Sequence, residues 1–427
     1  MIVTALFFIL AVLFLLGVPI IFVLGLVSLS YVLLTGNYYM MIMFPQRMFK
    51  GLDMFVLLAI PLFTLAGNLM NAGGISERLI SLTKSFLGHI YGGLAQVNVG
   101  ASMLFSGISG SAMADSSALG SVLIPSMIED KYDPGFAAAI TSVSSTIGPI
   151  IPPSIPFVIY GAMGSVSIAS LFLAGVFPGL LLGFSLMIAC YIYARRKKIP
   201  KTGKLDFRAF FRNLIRSIPA LLFPAIILYG ILGGVFTPTE AAAVAVIYAI
   251  IVGFFVYRQL TIKTLISNIL DTGIMLGGLL PIVSTAAIFS WILGAENASA
   301  VITNFLLSIT HSRIVILLII NVFLLIVGTI LEPASAIILF TPIFLPIAVQ
   351  LGVDPVHFGA ILVLNLIIGL STPPVGVCLF ICCRIANVSL ERISRAAVPF
   401  LLVCIAVLLI VTYFPWLTMY LPKLLNP

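Results

Sequence analysis

The feature that most constrains this sequence is a series of seven apolar segments of membrane-crossing length. A spanning helix needs about 20 apolar residues. Charged residues make up 8% of the 427 residues, which is too few to cover a water-soluble body of this size. A soluble enzyme, a nucleic-acid binder and a disordered chain are therefore excluded, and we predict an all-α polytopic membrane protein. The predicted spans cover residues 2–34, 53–71, 168–194, 218–234, 238–257, 265–293 and 397–421.

Basic residues concentrate in one loop, 195–216, which holds nine of the 21 lysines and arginines against a single acid, Asp206. A short basic loop between apolar segments stays on the cytoplasmic side, and contact with anionic lipid is compatible with that orientation. Residues 1–36 carry no charge. They lack both a basic start and a small-residue cleavage pattern, so we predict no cleavable signal peptide. Residues 75–90 are amphipathic and predict an interfacial or short helix.

Two regions, 92–163 and 312–387, do not read as simple spans because Gly, Ser and Pro divide them into apolar stretches too short to cross. A helix from Gly92 to Gly107 is about 24 Å long at 1.5 Å per residue, and a polar break at Ser109–Ser111 follows it. This pattern predicts a re-entrant helical hairpin. The next helix is interrupted at 148–154, where prolines remove backbone donors, so we predict a broken helix.

The second region repeats the first when the sequence is shifted by 221 residues, and this indicates an internal duplication. Broken helices at corresponding positions of two halves point to a transporter's binding site, since half-helix N-termini favour anions and unwound carbonyl groups favour cations. The coinciding residues are Gly107 with Gly328, Pro125 with Pro346, Asp133-Pro134 with Asp354-Pro355, Gly148 with Gly369, and Pro152-Pro153 with Pro373-Pro374.

Small hydroxyl residues cluster beside the first break, and hydroxyl and carbonyl oxygens suit Na⁺ better than a transition metal. The alternative is that serines and glycines only allow close helix packing. The cluster comprises Ser102, Ser106, Ser109, Ser111, Ser116 and Ser117, then Thr141, Ser142, Ser144, Ser145 and Thr146.

Two acids, Asp115 and Glu332, lie next to the predicted hairpin tips. An ionisable residue inside a membrane is a functional candidate by default. The alternative for each is N-capping of the outgoing helix, which stabilises it by about 1 kcal/mol. The 221-residue shift places Glu332 on Ser111, so the two tips differ chemically.

The other notable polar residues favour structural roles. Thr237, Pro238 and Glu240 fit a capping box at the start of an Ala-rich helix. Arg384 either extends its charged end to the membrane surface or balances an anionic substrate, and we favour the surface position. The three histidines lie at loop edges, which argues against a histidine proton relay. The five cysteines, which lack metal-ligand spacing, predict core or lipid-facing positions: Cys190, Cys378, Cys382, Cys383 and Cys404.

Four motifs in order resemble the large membrane subunit of TRAP transporters, the DctM-like family, and the resemblance covers nearly the whole chain. They are Ser109–Asp115 (SGSAMAD), Gly148–Ser154 (GPIIPPS), Thr237–Ala243 (TPTEAAA) and Asn365–Gly376 (NLIIGLSTPPVG).

The resemblance implies a subunit of the bacterial or archaeal cytoplasmic membrane that imports an organic acid, of the sialic acid or C4-dicarboxylate type, with a sodium gradient. Its partners would be a small four-helix membrane subunit, supplied separately because it is absent from this chain, and a periplasmic substrate-binding protein. The implied fold is an inverted repeat with two re-entrant hairpins and two broken helices that moves as an elevator. The implied parts are scaffold (1–91), first repeat (92–165), scaffold with the basic loop (166–311), second repeat (312–388) and a C-terminal helix (389–427).

The resemblance also implies site residues. One sodium ion would be held by Ser106, Ser109, Gly148, Ile151 and Pro153. A second would be held by Gly328, Glu332, Gly369 and Thr372. The substrate cavity would include Ser111, Asp115, Ser154 and Glu332.

Two other functions compete with this interpretation. One is a self-sufficient ion-coupled carrier or antiporter that needs no binding protein. The other is an intramembrane serine protease, since Gly107-Ile108-Ser109-Gly110 has the Gly-x-Ser-Gly form. A protease needs a base within reach of the serine, and the histidine positions and the absence of a His-Glu-x-x-His sequence argue against an enzyme.

Overall fold

The computed structural model describes residues 2–197, 199 and 206–425, and within them every regular element is a helix. The basic loop is therefore only partly described, since Lys198, Lys201 and Lys204 lie outside these residues. In chain order the α-helices of the described residues are α1 (Ile2–Leu15), α2 (Ile20–Thr35), α3 (Met43–Leu52), α4 (Ala59–Ala72), α5 (Ile75–Leu87), α6 (Gly93–Ser109), α7 (Ala112–Glu129), α8 (Pro134–Ser144), α9 (Ile155–Gly164), α10 (Ile168–Arg196), α11 (Phe207–Leu232), α12 (Pro238–Ile251), α13 (Ile262–Ala295), α14 (Ala298–Ile309), α15 (Arg313–Gly328), α16 (Pro333–Gln350), α17 (Pro355–Gly369), α18 (Val377–Ala386), α19 (Leu390–Tyr413) and α20 (Trp416–Leu425).

Among the described residues, seven helices are long and apolar enough to cross a membrane. They are Phe55–Ala72, α10, α11, Pro238–Val256, α13, α16 and α19. The predicted spans at 53–71, 168–194, 218–234, 238–257 and 265–293 are each confirmed by one of these helices. The chain is thus an all-helical polytopic membrane protein.

Three predictions about helix length were wrong. Residues 2–34 form two helices because Gly17 adopts a φ of +75° and Pro19 precedes α2. We predicted a span at 397–421 within a single C-terminal helix. The helix ends at Tyr413 because Phe414, which precedes Pro415, has a non-helical backbone with a ψ of 80°. The second region also contains a stretch long enough to cross, since α16 has 18 residues.

Side-chain caps define where helices begin in the two regions with short apolar stretches, 92–163 and 312–387. The Ser111 hydroxyl accepts a hydrogen bond from Ala114 N, Asp133 accepts one from Phe136 N, and Asp354 accepts one from Val356 N.

A helix outside these regions begins with the predicted capping box. Thr237 and Glu240 bond each other's backbone N–H at the start of α12. That prediction is confirmed.

The two regions share one arrangement of helices. Each has a hairpin (α6–α7 and α15–α16) followed by a broken helix (α8 then α9, and α17 then α18). With the 221-residue offset, α7 coincides residue for residue with α16. The second half of each broken helix packs against the other region, since α9 contacts α16 and α17 while α18 contacts α7 and α8.

The two hairpins begin at opposite ends of α19. Near its start, Arg392 forms an ion pair of 2.6 Å with Asp133, which lies at the base of the first hairpin. Near its end, the Tyr413 hydroxyl donates to the Ile314 carbonyl, 3.0 Å away, at the base of the second hairpin. These α19 residues are 21 positions apart, about 32 Å along a helix.

The remaining helices surround this pair of regions. Helix α13 contacts α2, α3 and α4 on one side and α16 on the other. Helix α10 contacts α6, α17 and α19, and the amphipathic α5 packs on α6 and α11 as the short helix predicted at 75–90. The five cysteines are all buried and free.

Candidate functional site

The two hairpin tips are built differently although their helices correspond. At the first tip, which comprises Ser109, Gly110 and Ser111, the turn depends on Gly110 with a φ of +59°. At the second tip, α15 ends at Gly328, and Glu332 accepts a hydrogen bond of 3.2 Å from Ser335 N as the N-cap of α16. The capping alternative considered for Glu332 is therefore realised, whereas Ser111 and not Asp115 caps α7.

The two breaks have matching positions and share a cis Pro-Pro bond. The first separates α8 and its 3₁₀ turn, Ser145–Ile147, from α9, and the second separates α17 from α18. The Pro152-Pro153 and Pro373-Pro374 bonds are cis. Ser154 is completely buried, donates its hydroxyl to the Pro149 carbonyl and caps α9.

The first tip touches the first break. A Cβ built on Gly110 would lie 2.8 Å from the Pro153 carbonyl oxygen. One built on Gly148 would overlap the Asp115 carboxylate, so that carboxylate lies directly against the break. The Ser109 hydroxyl donates to Asp115 Oδ1. Four predicted residues are thereby brought together: Ser109, Asp115, Gly148 and Pro153.

Asp115 is the most enclosed acid of this region. Its side chain is completely buried, and Oδ2 has no hydrogen-bond partner among the described residues. A buried carboxylate oxygen without a donor calls for a cation or a proton. The other two residues predicted to hold the first sodium have structural contacts, since the Ser106 hydroxyl donates to the Met103 carbonyl at 2.6 Å and Ile151 packs on Gly179.

The second tip touches the second break through backbone alone. A Cβ built on Gly369 would overlap the Gly328 backbone, so the two glycines pack directly on each other. Thr372 lies in the break and donates its hydroxyl to the Ile368 carbonyl at 2.8 Å. Glu332 is exposed in the space beside this contact.

A cavity of about 290 Å³ separates the tips and contains Ser111 and Glu332 in its lining. It is otherwise mostly apolar, and the first turns of α7, α9 and α16 all contribute to it. Helix N-termini carry unpaired N–H groups and a partial positive charge. Asp115 and Ser154, also predicted for the substrate cavity, do not line it.

The second break is hydrogen-bonded to α8 of the first region. The Ser371 hydroxyl donates to the Ser142 carbonyl at 2.8 Å and lies 3.1 Å from the Ser142 hydroxyl. All of these groups are buried. The hydroxyl cluster predicted on α8 thus contributes one member to the contact between the two regions.

Three buried asparagines that sequence reasoning missed hold each hairpin to its broken helix. In the first region Asn98 donates to the Thr141 hydroxyl at 2.6 Å. In the second, Asn365 donates to Asn321 Oδ1 at 2.8 Å. An amide inside an apolar helix is a signal for a helix–helix hydrogen bond, and we gave it no weight because asparagine carries no charge.

The histidine and arginine that were considered for other roles, His357 and Arg384, do not line the cavity between the tips. Buried His357 contacts the Thr418 hydroxyl at 2.7 Å, and no histidine lines the tip cavity within the described part of the chain. Arg384 is exposed in the last turn of α18. The Ser109 hydroxyl donates to a carboxylate, which is not the serine–histidine pair that the protease alternative requires.

Known proteins resemble this chain over nearly its full length. The profile of the family described as "Tripartite ATP-independent periplasmic transporter, DctM component" matches residues 7–417. The chain is 40% identical over 408 residues to the sialic acid TRAP transporter large permease protein SiaM of Vibrio cholerae, covering 96% of this chain and 95% of that protein. It is 41% identical over 380 residues to the C4-dicarboxylate TRAP transporter large permease protein DctM of Pseudomonas aeruginosa, covering 89% of each.

One solved structure extends the comparison to the fold. The YdaH transporter of Alcanivorax borkumensis superposes with a TM-score of 0.67, covering 92% of this chain and 90% of that one. The sequence identity is 15%, so this likeness concerns the fold alone.

Proposed function

The chain belongs to the DctM family of tripartite ATP-independent periplasmic transporters, and we propose on this premise that it is the large membrane subunit of a sodium-coupled importer of an organic acid. The substrate would be a carboxylate of the sialic acid or C4-dicarboxylate type, as the names of the relatives suggest. The protein would act as a transporter and not as an enzyme.

The observation that carries this proposal is the cavity between the two tips. Three helix N-termini, those of α7, α9 and α16, contribute to its lining. Because no basic side chain lines it among the described residues, these backbone dipoles would supply the favourable potential for an anion. Ser111 supplies a hydroxyl that can donate to a carboxylate.

Bound sodium would supply the remaining positive charge. We place the first ion beside Asp115 and Gly148, where the unpaired Asp115 Oδ2 supports a cation, and we assign Asp115 to this ion and not to the substrate. We place the second beside Gly328, Gly369 and Thr372, with Glu332 between the ion and the cavity. Carboxylate, hydroxyl and carbonyl oxygens are suitable ligands for a hard cation.

We further propose an elevator motion of an inverted repeat. The hairpins begin at opposite ends of α19, which supports an inverted relationship, and the interlocked packing of α9 and α18 supports movement of 92–165 and 312–388 as one body. Helix α13 would be the stationary wall. A Cβ built on Gly273 or Gly277 meets nothing within 4 Å, so this stretch of α13 has open space beside it.

The proposed setting is the bacterial inner membrane, with loop 195–216 in the cytoplasm. A small four-helix membrane subunit would complete the scaffold, and a periplasmic binding protein would deliver the acid. The basic charge of Arg195, Arg196, Arg208, Arg212 and Arg216 supports this orientation.

Reconstitution in liposomes tests the proposal. The chain, its small subunit and the ligand-loaded binding protein are tested with labelled sialic acid and labelled succinate, with an inward gradient of sodium or of choline. We expect uptake of one acid with sodium only. Equal uptake without a sodium gradient would remove the coupling, and uptake by this chain alone would favour the self-sufficient carrier.

A reversible cross-link tests the elevator. Met275 on α13 and Ala334 on α16 face the same cavity from its two sides. In a Met275→Cys/Ala334→Cys variant, a bifunctional thiol reagent should stop uptake, and a reductant should restore it. Each single variant treated in the same way is the control, and unchanged uptake by a fully cross-linked sample contradicts relative movement of these helices.

A further inference from the structure

A second pocket, of about 240 Å³, lies beyond the tip cavity and contains two basic residues in its lining, Arg47 and Lys50 of α3. Neither forms an ion pair among the described residues. Arg47 is half-buried and stacks over the Trp291 ring at 5.2 Å, and Lys50 is exposed. No acidic side chain belongs to this lining within the described chain.

Helices α9, α13 and α16 line both the tip cavity and the second pocket. Each helix contributes successive turns to the two pockets. Helix α13 contributes Gly278, Leu279 and Ile282 to the tip cavity and Val283, Ala286, Ala287 and Ser290 to the second pocket. Helix α9 continues from Ile159 to Ala162, and α16 from Ser335 to Ile338. The two pockets are therefore consecutive parts of one crevice between α13 and the α9–α16 pair, and we call it the α13 crevice.

The basic pocket lies on the outer side of the tip cavity along this crevice. Ser290 is eight residues beyond Ile282, which is about 12 Å along α13. Ser165 also lines the pocket, in the turn between α9 and α10. From this turn α10 runs 29 residues to Arg196 at the basic loop, so the pocket is at the end of α10 opposite to that loop.

We propose that Arg47 and Lys50 form an anion-loading site at the extracytoplasmic mouth of the α13 crevice, which binds the carboxylate before it reaches the cavity between the tips. This inference rests on the proposed function and adds to it the place where the acid first meets this subunit. A pair of unneutralised cations at the mouth of a low-dielectric cleft raises the local concentration of an anion. The tip cavity, without basic side chains, can then hold the acid without trapping it.

Thiol chemistry tests the charge of the mouth without any transport. In a Ser290→Cys variant we compare the reaction rates of a negatively charged methanethiosulfonate (sulfonatoethyl) and a positively charged one (trimethylammonioethyl), each normalised to free mercaptoethanol. The native cysteines are buried, and the unsubstituted protein gives the background. We expect the anionic reagent to be favoured roughly five- to tenfold at low ionic strength, because a local positive potential acts oppositely on the two reagents.

Added variants assign that preference to the two residues. Arg47→Gln/Lys50→Gln should remove it, Arg47→Lys should retain it, and Arg395→Gln, in a surface ion pair elsewhere, should leave it unchanged. A preference that persists in the double variant overturns the proposal. So does the absence of any preference, or of any reaction, in Ser290→Cys alone.

The lipid of the vesicles separates a dissolved carboxylate from a lipid headgroup as the ligand. Phosphatidylcholine vesicles are compared with vesicles that also contain phosphatidylglycerol. The preference, taken relative to Arg47→Gln/Lys50→Gln in the same lipid to cancel the membrane surface potential, should be the same in both. Its loss when phosphatidylglycerol is present would mean that headgroups occupy the basic pair, which contradicts loading of a dissolved acid.

Uptake assays then connect the charge to loading. Arg47→Gln/Lys50→Gln should raise the KM for the acid about tenfold at low ionic strength with Vmax unchanged, and added salt should reduce the difference. An unchanged KM overturns the loading role. Absence of sodium-coupled uptake by the unsubstituted complex would instead refute the proposed function, while the thiol result would still report the charged mouth.

Discussion

The outgoing helices of the two hairpins have matching boundaries, but the two tips place their acids in different environments. In the first region Asp115 lies inside α7, buried under the Ser109 hydroxyl and against Gly148. The matching residue of the second region is a buried alanine, Ala336, and its acid, Glu332, lies four residues earlier as an exposed cap.

This difference changes how each tip meets its break. Where no carboxylate intervenes, Gly369 packs on Gly328 backbone to backbone. In the first region the Asp115 carboxylate occupies the space at Gly148, and a Cβ built on Gly107 would meet Pro224 on α11 before the Pro152 carbonyl of the break. An enclosed acid reaches only an ion or its direct neighbours, whereas an exposed acid is accessible to a ligand. Two regions with the same order of helices thus carry two chemically distinct tips.

The largest effect that we expect comes from adding one methyl group at the backbone contact. Gly369→Ala would force the second tip and its break apart because no side chain can move aside, and we expect a loss of about 3 kcal/mol or more in the free energy of unfolding. The measurement is an SDS unfolding titration in mixed micelles. Gly273→Ala, on open space in α13, is the matched control and should be neutral or stabilising by up to about 1 kcal/mol.

The corresponding substitution at the first tip sharpens the contrast. Gly148→Ala meets the Asp115 side chain, so its cost should largely disappear in Gly148→Ala/Asp115→Ala, which copies the alanine of the second region. If Gly369→Ala is tolerated as well as Gly273→Ala, the two tips do not differ in the way described.

The second prediction concerns the hydroxyl that covers the buried acid. Ser109→Ala removes the donor to Asp115 Oδ1 and leaves both carboxylate oxygens without a partner among the described residues, so we expect destabilisation by about 2 kcal/mol. The loss should be smaller in saturating sodium if the ion lies beside Asp115. The exposed Ser117 of α7, two residues beyond Asp115, provides the control Ser117→Ala. Equal effects of the two substitutions would show that the hydroxyl does not support the acid.

Much of this arrangement could be predicted from the sequence because proline and glycine limit the backbone locally. The breaks at 148–154 and at 370–376 and both hairpins follow from where these residues occur, and the 221-residue offset places them in register. The predictions failed at Gly17–Pro19 and at Pro415 because there the apolar stretches were taken as continuous helices. In both places the glycine and proline residues were given too little weight.

The environment of each acid could not be predicted in this way. Whether Ser111 or Asp115 caps α7 depends on whether the helix begins at Ala112 or four residues later, and both are capping types. That Asp115 faces Gly148 depends on a contact between residues 33 positions apart, which no local pattern specifies. The basic mouth formed by Arg47 and Lys50 likewise arises from the packing of α3 on α13.

The third prediction separates the charge of Glu332 from its capping role. Glu332→Ser gives the second tip the residue of the first, and serine is a good N-cap, so the unfolding free energy should change by less than about 0.5 kcal/mol. Uptake should nevertheless fall at least about tenfold because the acid beside the cavity is lost. A tenfold fall in rate corresponds to about 1.4 kcal/mol. The measurement is initial uptake in liposomes against sodium concentration.

Two variants complete this test. Glu332→Ala removes charge and cap together and should show both defects. Glu332→Asp keeps both and should retain most of the stability. Normal uptake by Glu332→Ser would exclude the carboxylate from the site and make the two tips chemically equivalent.

The smallest expected effect concerns the contact between α8 and the second break. Ser371 donates to the Ser142 carbonyl and also meets its hydroxyl, so Ser371→Ala removes both interactions, whereas Ser142→Ala removes only the second. We expect Ser371→Ala to cost about 0.6 kcal/mol, typical of hydrogen bonds between membrane helices, and Ser142→Ala to cost less. The double variant should match Ser371→Ala, because nothing remains for the second substitution to remove. A larger cost for Ser142→Ala, or simple additivity in the unfolding titration, would show that the two regions are not held together through this backbone carbonyl.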